Sequence, residues 1–149
     1  MKSFKLLSIL AIIVLSISSC STDPDEPTGP SFTVTEINYA GSGAATDSDI
    51  LAKVYVENTS DADITLHWVR ENVSVPSGWE TAICDHNLCY PKTTGENDLE
   101  LTANQKIQVK FTFYPNGADG TGTGDLVLYD KANQAGSTQT LNFSATARP

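Results

Sequence analysis

Beyond residue 30 the chain alternates apolar and polar positions with a period of two and nowhere sustains the 3.6-residue period of a helix. In DILAKVYVEN, Ile50, Ala52, Val54 and Val56 fall on one side and Leu51, Lys53, Tyr55 and Glu57 on the other, as in a half-buried strand. ITLHWVR repeats the pattern with Ile64, Leu66 and Trp68 opposite Thr65, His67 and Val69, which places His67 on a solvated face. KIQVKFTF sets Ile107, Val109, Phe111 and Phe113 against Gln108, Lys110 and Thr112; GDLVLYD and TLNFSATA alternate in the same way through Leu126, Leu128, Leu141, Phe143 and Ala145. An amino-terminal strand over 32–39 and short ones near 79–83 and 99–101 bring the expected number to seven or eight. The segments GSGAATDSD, ENTSDAD, TTGEND, PNGADGTGTG and NQAGS are rich in turn formers and read as loops. Short strands with one apolar face each bury that face against a second sheet. The expected fold is all-β, an immunoglobulin-like antiparallel β-sandwich over residues 31–149.

The order VYVENTSDADITLHW, LELTANQKIQVKFTFYPNGADGTGTGDLVLYD, LNFSATA resembles the immunoglobulin-like domains related to major sperm protein and its ciliary and bacterial relatives, the ASPM-SPD-2-hydin type. Those domains carry an N-x-S/T turn after the second strand, an L-x-x-G-Q/E turn before a V-x-F-x-P strand, and a Gly-rich loop before a short L-x-L strand. This chain has Ala103 and Asn104 where that second turn usually holds Pro and Gly. The resemblance covers most of residues 50–147 and implies an adhesive, scaffolding or docking module, although fold alone does not assign activity.

The amino terminus follows a different pattern. Lys2 and Lys5 precede an apolar run over 6–17, shorter than the ~20 residues a bilayer-spanning helix needs, and small residues follow. This reads as a signal peptide, residues 1–19. ISSC at 17–20 resembles the bacterial lipobox, which implies acylation of Cys20 after cleavage and a protein anchored to the membrane without spanning it, since each buried methylene contributes ~0.8 kcal/mol. Ser21 stands where the inner-membrane retention signal of such lipoproteins has Asp, so the outer membrane is the expected location, on its periplasmic or surface face. Residues 20–30 form a Pro-rich tether whose Asp23, Asp25 and Glu26 resemble an acidic surface-export tag and equally suit a solvated linker.

Loss of residues 1–19 removes Lys2 and Lys5 and no acid, leaving seven basic residues against 18 acidic ones, a formal charge of −11. Scattered lysines on so acidic a chain exclude nucleic acid as a partner. The expected partners are the membrane, through the lipid, and an envelope protein or extracellular ligand.

With Cys20 assigned to lipid, Cys84 and Cys89 remain, in the stretch ETAICDHNLCYP. An oxidising compartment and a four-residue spacing across a hairpin point to a disulfide. The alternative is a metal- or redox-active loop. Zinc wants four ligands and the common C-x2-C knuckle, whereas here only His86 lies inside the loop and His67 on another strand. Blue copper and thioredoxin-like chemistry lack their Met and their C-x-x-C. NGADGTGTGD offers Asn116, Asp119 and Asp125 without the EF-hand spacing, and no Ser, His or paired-carboxylate frame stands out, so neither catalytic residues nor a cofactor are expected. Asp85, His86 and Asn87 at the loop tip are candidate partner contacts. Trp79 and Tyr90 flank the loop and are candidates as well, because Trp and Tyr are over-represented in binding hot spots.

Overall fold

The structure is a computed structural model, and it describes residues 30–35 and 38–149. The expected signal peptide, Cys20 and all but the last residue of the tether lie outside the described residues.

Among the described residues, ten strands pack as two five-stranded sheets. Sheet A has the order β1 (Phe32–Val34), β3 (Ile50–Asn58), β8 (Lys106–Tyr114), β5 (Glu80–Cys84), β6 (Cys89–Pro91). Sheet B has the order β2 (Asn38–Ala44), β10 (Gln139–Arg148), β9 (Gly120–Asp130), β4 (Ile64–Ser74), β7 (Glu96–Leu101). A single helical turn, α1 (Gln134–Ser137), joins β9 to β10, with the Asn133 side chain accepting from the Gly136 N–H. No helix among the described residues is long and apolar enough to cross a membrane.

The immunoglobulin-like β-sandwich expected from the alternation is present, with ten strands in place of seven or eight. The inward sets of β3, β8, β9 and β10 are the ones the sequence separates: Val54, Val56, Phe111, Phe113, Leu126, Leu128 and Leu141 are buried between the sheets. Trp68 fills the centre, and the Phe111 ring lies 4.8 Å from Phe113 and 5.3 Å from Phe143.

Three local readings change. The single amino-terminal strand is two: β1 pairs antiparallel with β3, and β2 crosses to sheet B and runs parallel to β10. Residues 41–44, expected in a turn, belong to β2, because Gly41 and Gly43 let it lie directly on Ile50; a Cβ on Gly41 would sit 2.8 Å from Ile50 Cγ2. GTGTG, also expected in a loop, is the first half of β9. Its glycines alternate inward as apolar residues would, with Gly122 and Gly124 buried under rings that occupy their side-chain space.

Of the five buried polar residues described, Asn58 is the most completely enclosed. Asn58 is fully buried at the end of β3, donates to the carbonyls of Ala62 (2.8 Å) and Thr102 (2.9 Å), and accepts from the Ser60 N–H (2.9 Å) and hydroxyl (2.8 Å). The N-x-S turn of the resemblance is therefore a structural knot that ties the β3–β4 connection to the β7–β8 connection.

Candidate functional site

Strands β5 and β6 form a hairpin in which Cys84 faces Cys89, and the two are joined as a disulfide with their Cα atoms 4.0 Å apart. Inside the four-residue loop, Asp85 Oδ1 accepts from the N–H groups of Asn87 (2.7 Å) and Leu88 (3.0 Å), and the Asp85 N–H donates to the Leu88 carbonyl (3.0 Å). This Asx turn explains the aspartate: its carboxylate shapes the loop. His86 and Asn87 are exposed at the tip, and Leu88 beside them is 63% exposed. Leu88 escaped the sequence reading, since a lone leucine in a polar loop is indistinguishable by pattern from one that folds back into the core.

The flanking aromatics do not serve as the exposed contacts expected of them. Trp79 is buried, with its Nε1–H donating to the Ala118 carbonyl (2.9 Å) and its ring edge-on to Phe113. Tyr90, paired with Ile83, points inward and packs edge-on against Trp68, ring centroids 5.3 Å apart. Burial, followed by the charge and hydrogen bonding of Asp85, raises the Tyr90 hydroxyl above its ordinary pKa, so the ring is neutral at physiological pH. What the two anchor is the base of the hairpin.

Arg70 of β4 fastens that hairpin to the opposite sheet. Its Nη2 donates to the carbonyls of Tyr90 (3.1 Å) and Pro91 (3.2 Å), its Nη1 to Thr81 Oγ1 (3.3 Å), and its guanidinium lies 5.9 Å from the centroid of the Phe111 ring. Burial lowers its pKa from the ordinary arginine value. The tip is thus held from below by a disulfide, an Asx turn and a cation that spans both sheets.

A groove of about 530 Å³ runs between His86 and Asn87 of the tip and the start of β4 and end of β7, at Asp63, Ile64, Thr65 and Glu100. Ile64 also borders the cleft at Pro30 and Ser31, so the tip and the point where the tether enters occupy the same end of the sandwich.

Both cysteine sulfurs are committed to the disulfide, and among the described residues no three His, Cys, Asp or Glu side chains converge where a metal could sit. His67 is half-buried on the outer face of sheet B, its Nδ1 2.6 Å from Asp98 Oδ1 and its ring tilted over Tyr129, 5.2 Å away. The hydrogen bond from His67 and that from Lys131 hold the Asp98 carboxyl below its usual range. Asn116 and Asp125 are separated: Asn116 Nδ2 donates to the Gly78 carbonyl (2.9 Å), while Asp125 accepts from Asn72 and Asn142 (2.8 Å each) on sheet B.

These elements define an immunoglobulin-like β-sandwich with one covalently closed hairpin at the end where the chain enters. No family model and no curated protein matches the sequence. Among solved structures, the N-terminal domain of PorA superposes with a TM-score of 0.60 at 14% identity, over 78% of this chain and 97% of that one. The ASH/PapD-like domain 7 of human CEP192 does so with a TM-score of 0.50 at 13% identity, over 90% and 96%. A family 123 glycoside hydrolase from Clostridium perfringens reaches 0.50 at 7% identity, over 78% of this chain and 27% of the enzyme. At such identities the likeness is one of fold, and the CEP192 domain places the expected sperm-protein and ciliary resemblance at that level.

Proposed function

We propose that this protein is a non-enzymatic, lipid-anchored module of the bacterial cell envelope that binds a partner through the stapled tip, as an adhesion or assembly accessory. The lipobox-like ISSC and the short apolar run before it support an outer-membrane anchor at Cys20. The observation that carries the binding reading is Leu88, left 63% exposed on a loop immobilised by a disulfide and an Asx turn. A loop already rigid loses little conformational freedom when it docks, so the apolar contact is not consumed in ordering it. His86, Asn87 and Leu88 are the residues of the contact, and Asp85 positions them.

Labelling cells with an alkynyl fatty acid tests the anchor: the wild type takes up label and Cys20→Ser does not, whereas an unlabelled wild type refutes it. Photo-cross-linkers placed at Leu88 and at Thr46, exposed at the opposite end, test the tip in intact cells. A discrete adduct from position 88 and none from position 46 is expected; the reverse result refutes the assignment.

A further inference from the structure

The outer face of sheet A carries an arrangement that folding alone disfavours. Lys53 of β3 and Lys110 of β8 are direct cross-strand partners. The other three described lysines each have an acid: Lys92 lies 2.6 Å from Glu80, Lys106 3.3 Å from Glu57, and Lys131 2.7 Å from Asp98. Lys53 and Lys110 have none among the described residues, which include 14 of the chain's 18 acids. Like charges directly opposite on a sheet destabilise it.

Next to this pair is an aromatic platform. Tyr55, two positions along β3 on the same face, is 45% exposed, and its cross-strand partner Gln108 donates from Nε2 to its hydroxyl (3.1 Å). Lys106 Nζ sits 5.6 Å from the centre of its ring. A held, exposed ring and two ammonium groups with no acidic partner among the described residues therefore lie in adjacent rows of this face, beside Cys84, the buried cross-strand neighbour of Lys110 on β5.

We propose that this face binds a carboxylate-bearing polysaccharide. The Tyr55 ring stacks on the apolar face of a sugar, the Gln108 amide meets hydroxyls, and Lys53 and Lys110 take carboxylates, so that the ligand supplies a counter-charge that none of the described residues provides. A purely electrostatic acidic partner would use the lysines and have no need of the ring. The outer face of a sheet, with its side chains in rows, suits an extended polymer.

The full-length protein in detergent micelles, titrated at low salt with polygalacturonate, neutral dextran, poly-glutamate and phosphatidylglycerol vesicles, tests this. Polygalacturonate binds and dextran does not; Tyr55→Ser weakens binding about tenfold, the loss expected for one such contact, and the K53Q/K110Q double variant, which removes two, weakens it by more than tenfold. Poly-glutamate binding as tightly and unaffected by Tyr55→Ser, binding to vesicles alone, or no binding to polygalacturonate overturns the proposal. K53Q/K110Q is expected to melt no lower than the wild type, since it removes a repulsion. A lower melting temperature would show that the pair is not strained and would also overturn it.

Discussion

Replacing Gly124 by alanine sets two physical effects of opposite sign against each other. Glycine inside a strand is unfavourable by about 0.5–1 kcal/mol relative to alanine, so propensity alone makes Gly124→Ala stabilising. Gly124 is not among the residues with positive φ, so the backbone accepts a side chain. Space does not: the new Cβ would lie 2.4 Å from Phe111 Cζ and 2.8 Å from Cε2, where carbon atoms need about 3.5–4.0 Å. Phe111 has nowhere to retreat, being fully buried with Phe113 and Phe143 against its ring and Arg70 over it. Overpacking of this kind costs about 1–3 kcal/mol, which leaves a net loss on the order of 1–2 kcal/mol. For a domain of this size that is a fall in Tm of roughly 4–8 °C. Urea unfolding should show a lower midpoint with an unchanged m-value. Phe111→Leu, which removes the offending ring atoms, should couple favourably with Gly124→Ala in a double-mutant cycle, by about 1 kcal/mol. Stabilisation by Gly124→Ala, or a coupling energy of zero, would refute the packing account of the glycine run.

Asn58→Ala removes a side chain that satisfies two buried carbonyls and two Ser60 groups, and should destabilise by about 3 kcal/mol on thermal melting; because Asn58 is fully buried, its NTS sequon should also stay unglycosylated in a eukaryotic host, as read by intact mass. Cys84→Ser with Cys89→Ser opens a small ring and should cost about 2 kcal/mol, with reductant shifting the wild-type melt and leaving that of the double variant in place. Asp98 has a lowered folded-state pKa, so the stability it contributes is present above the unfolded carboxylate value near 3.9 and is lost as pH falls through the folded value. Asp98→Asn should therefore flatten the acid limb of a stability-versus-pH profile, lowering stability modestly at neutral pH and converging on the wild type at the acid end, where Asp98 is protonated.

Alternation in β3, β8 and β10 was legible because each buries only one face, so the period of two survives in composition. The splitting of the amino-terminal strand was not legible, because which sheet β2 joins depends on Gly41 and Gly43 meeting Ile50, residues from two elements that only the tertiary structure brings together. GTGTG misled for a related reason: glycine read alone means a turn, and its inward alternation gains meaning only under Trp79 and Phe111. At the candidate site, the cysteine pair was legible from compartment and spacing. The division of labour within the loop was not, since Asp85 could face a partner or its own backbone, and only the backbone N–H positions of Asn87 and Leu88 decide between them. Trp79 was offered as a contact from residue type, a signal that burial outweighed.

The stapled tip and the entry of the tether share one end of the sandwich, and with Cys20 as the anchor this sets a reach. Ten residues separate Cys20 from Ser31, and the eleven steps between the two, fully extended, span about 40 Å. Under the proposed anchoring the tip stays at the end of the sandwich nearest its tether, like a hook turned back toward its own mooring. A partner reached on that proposal would lie within a layer a few nanometres deep, and lengthening the tether would carry the tip beyond it without altering a single contact in the fold.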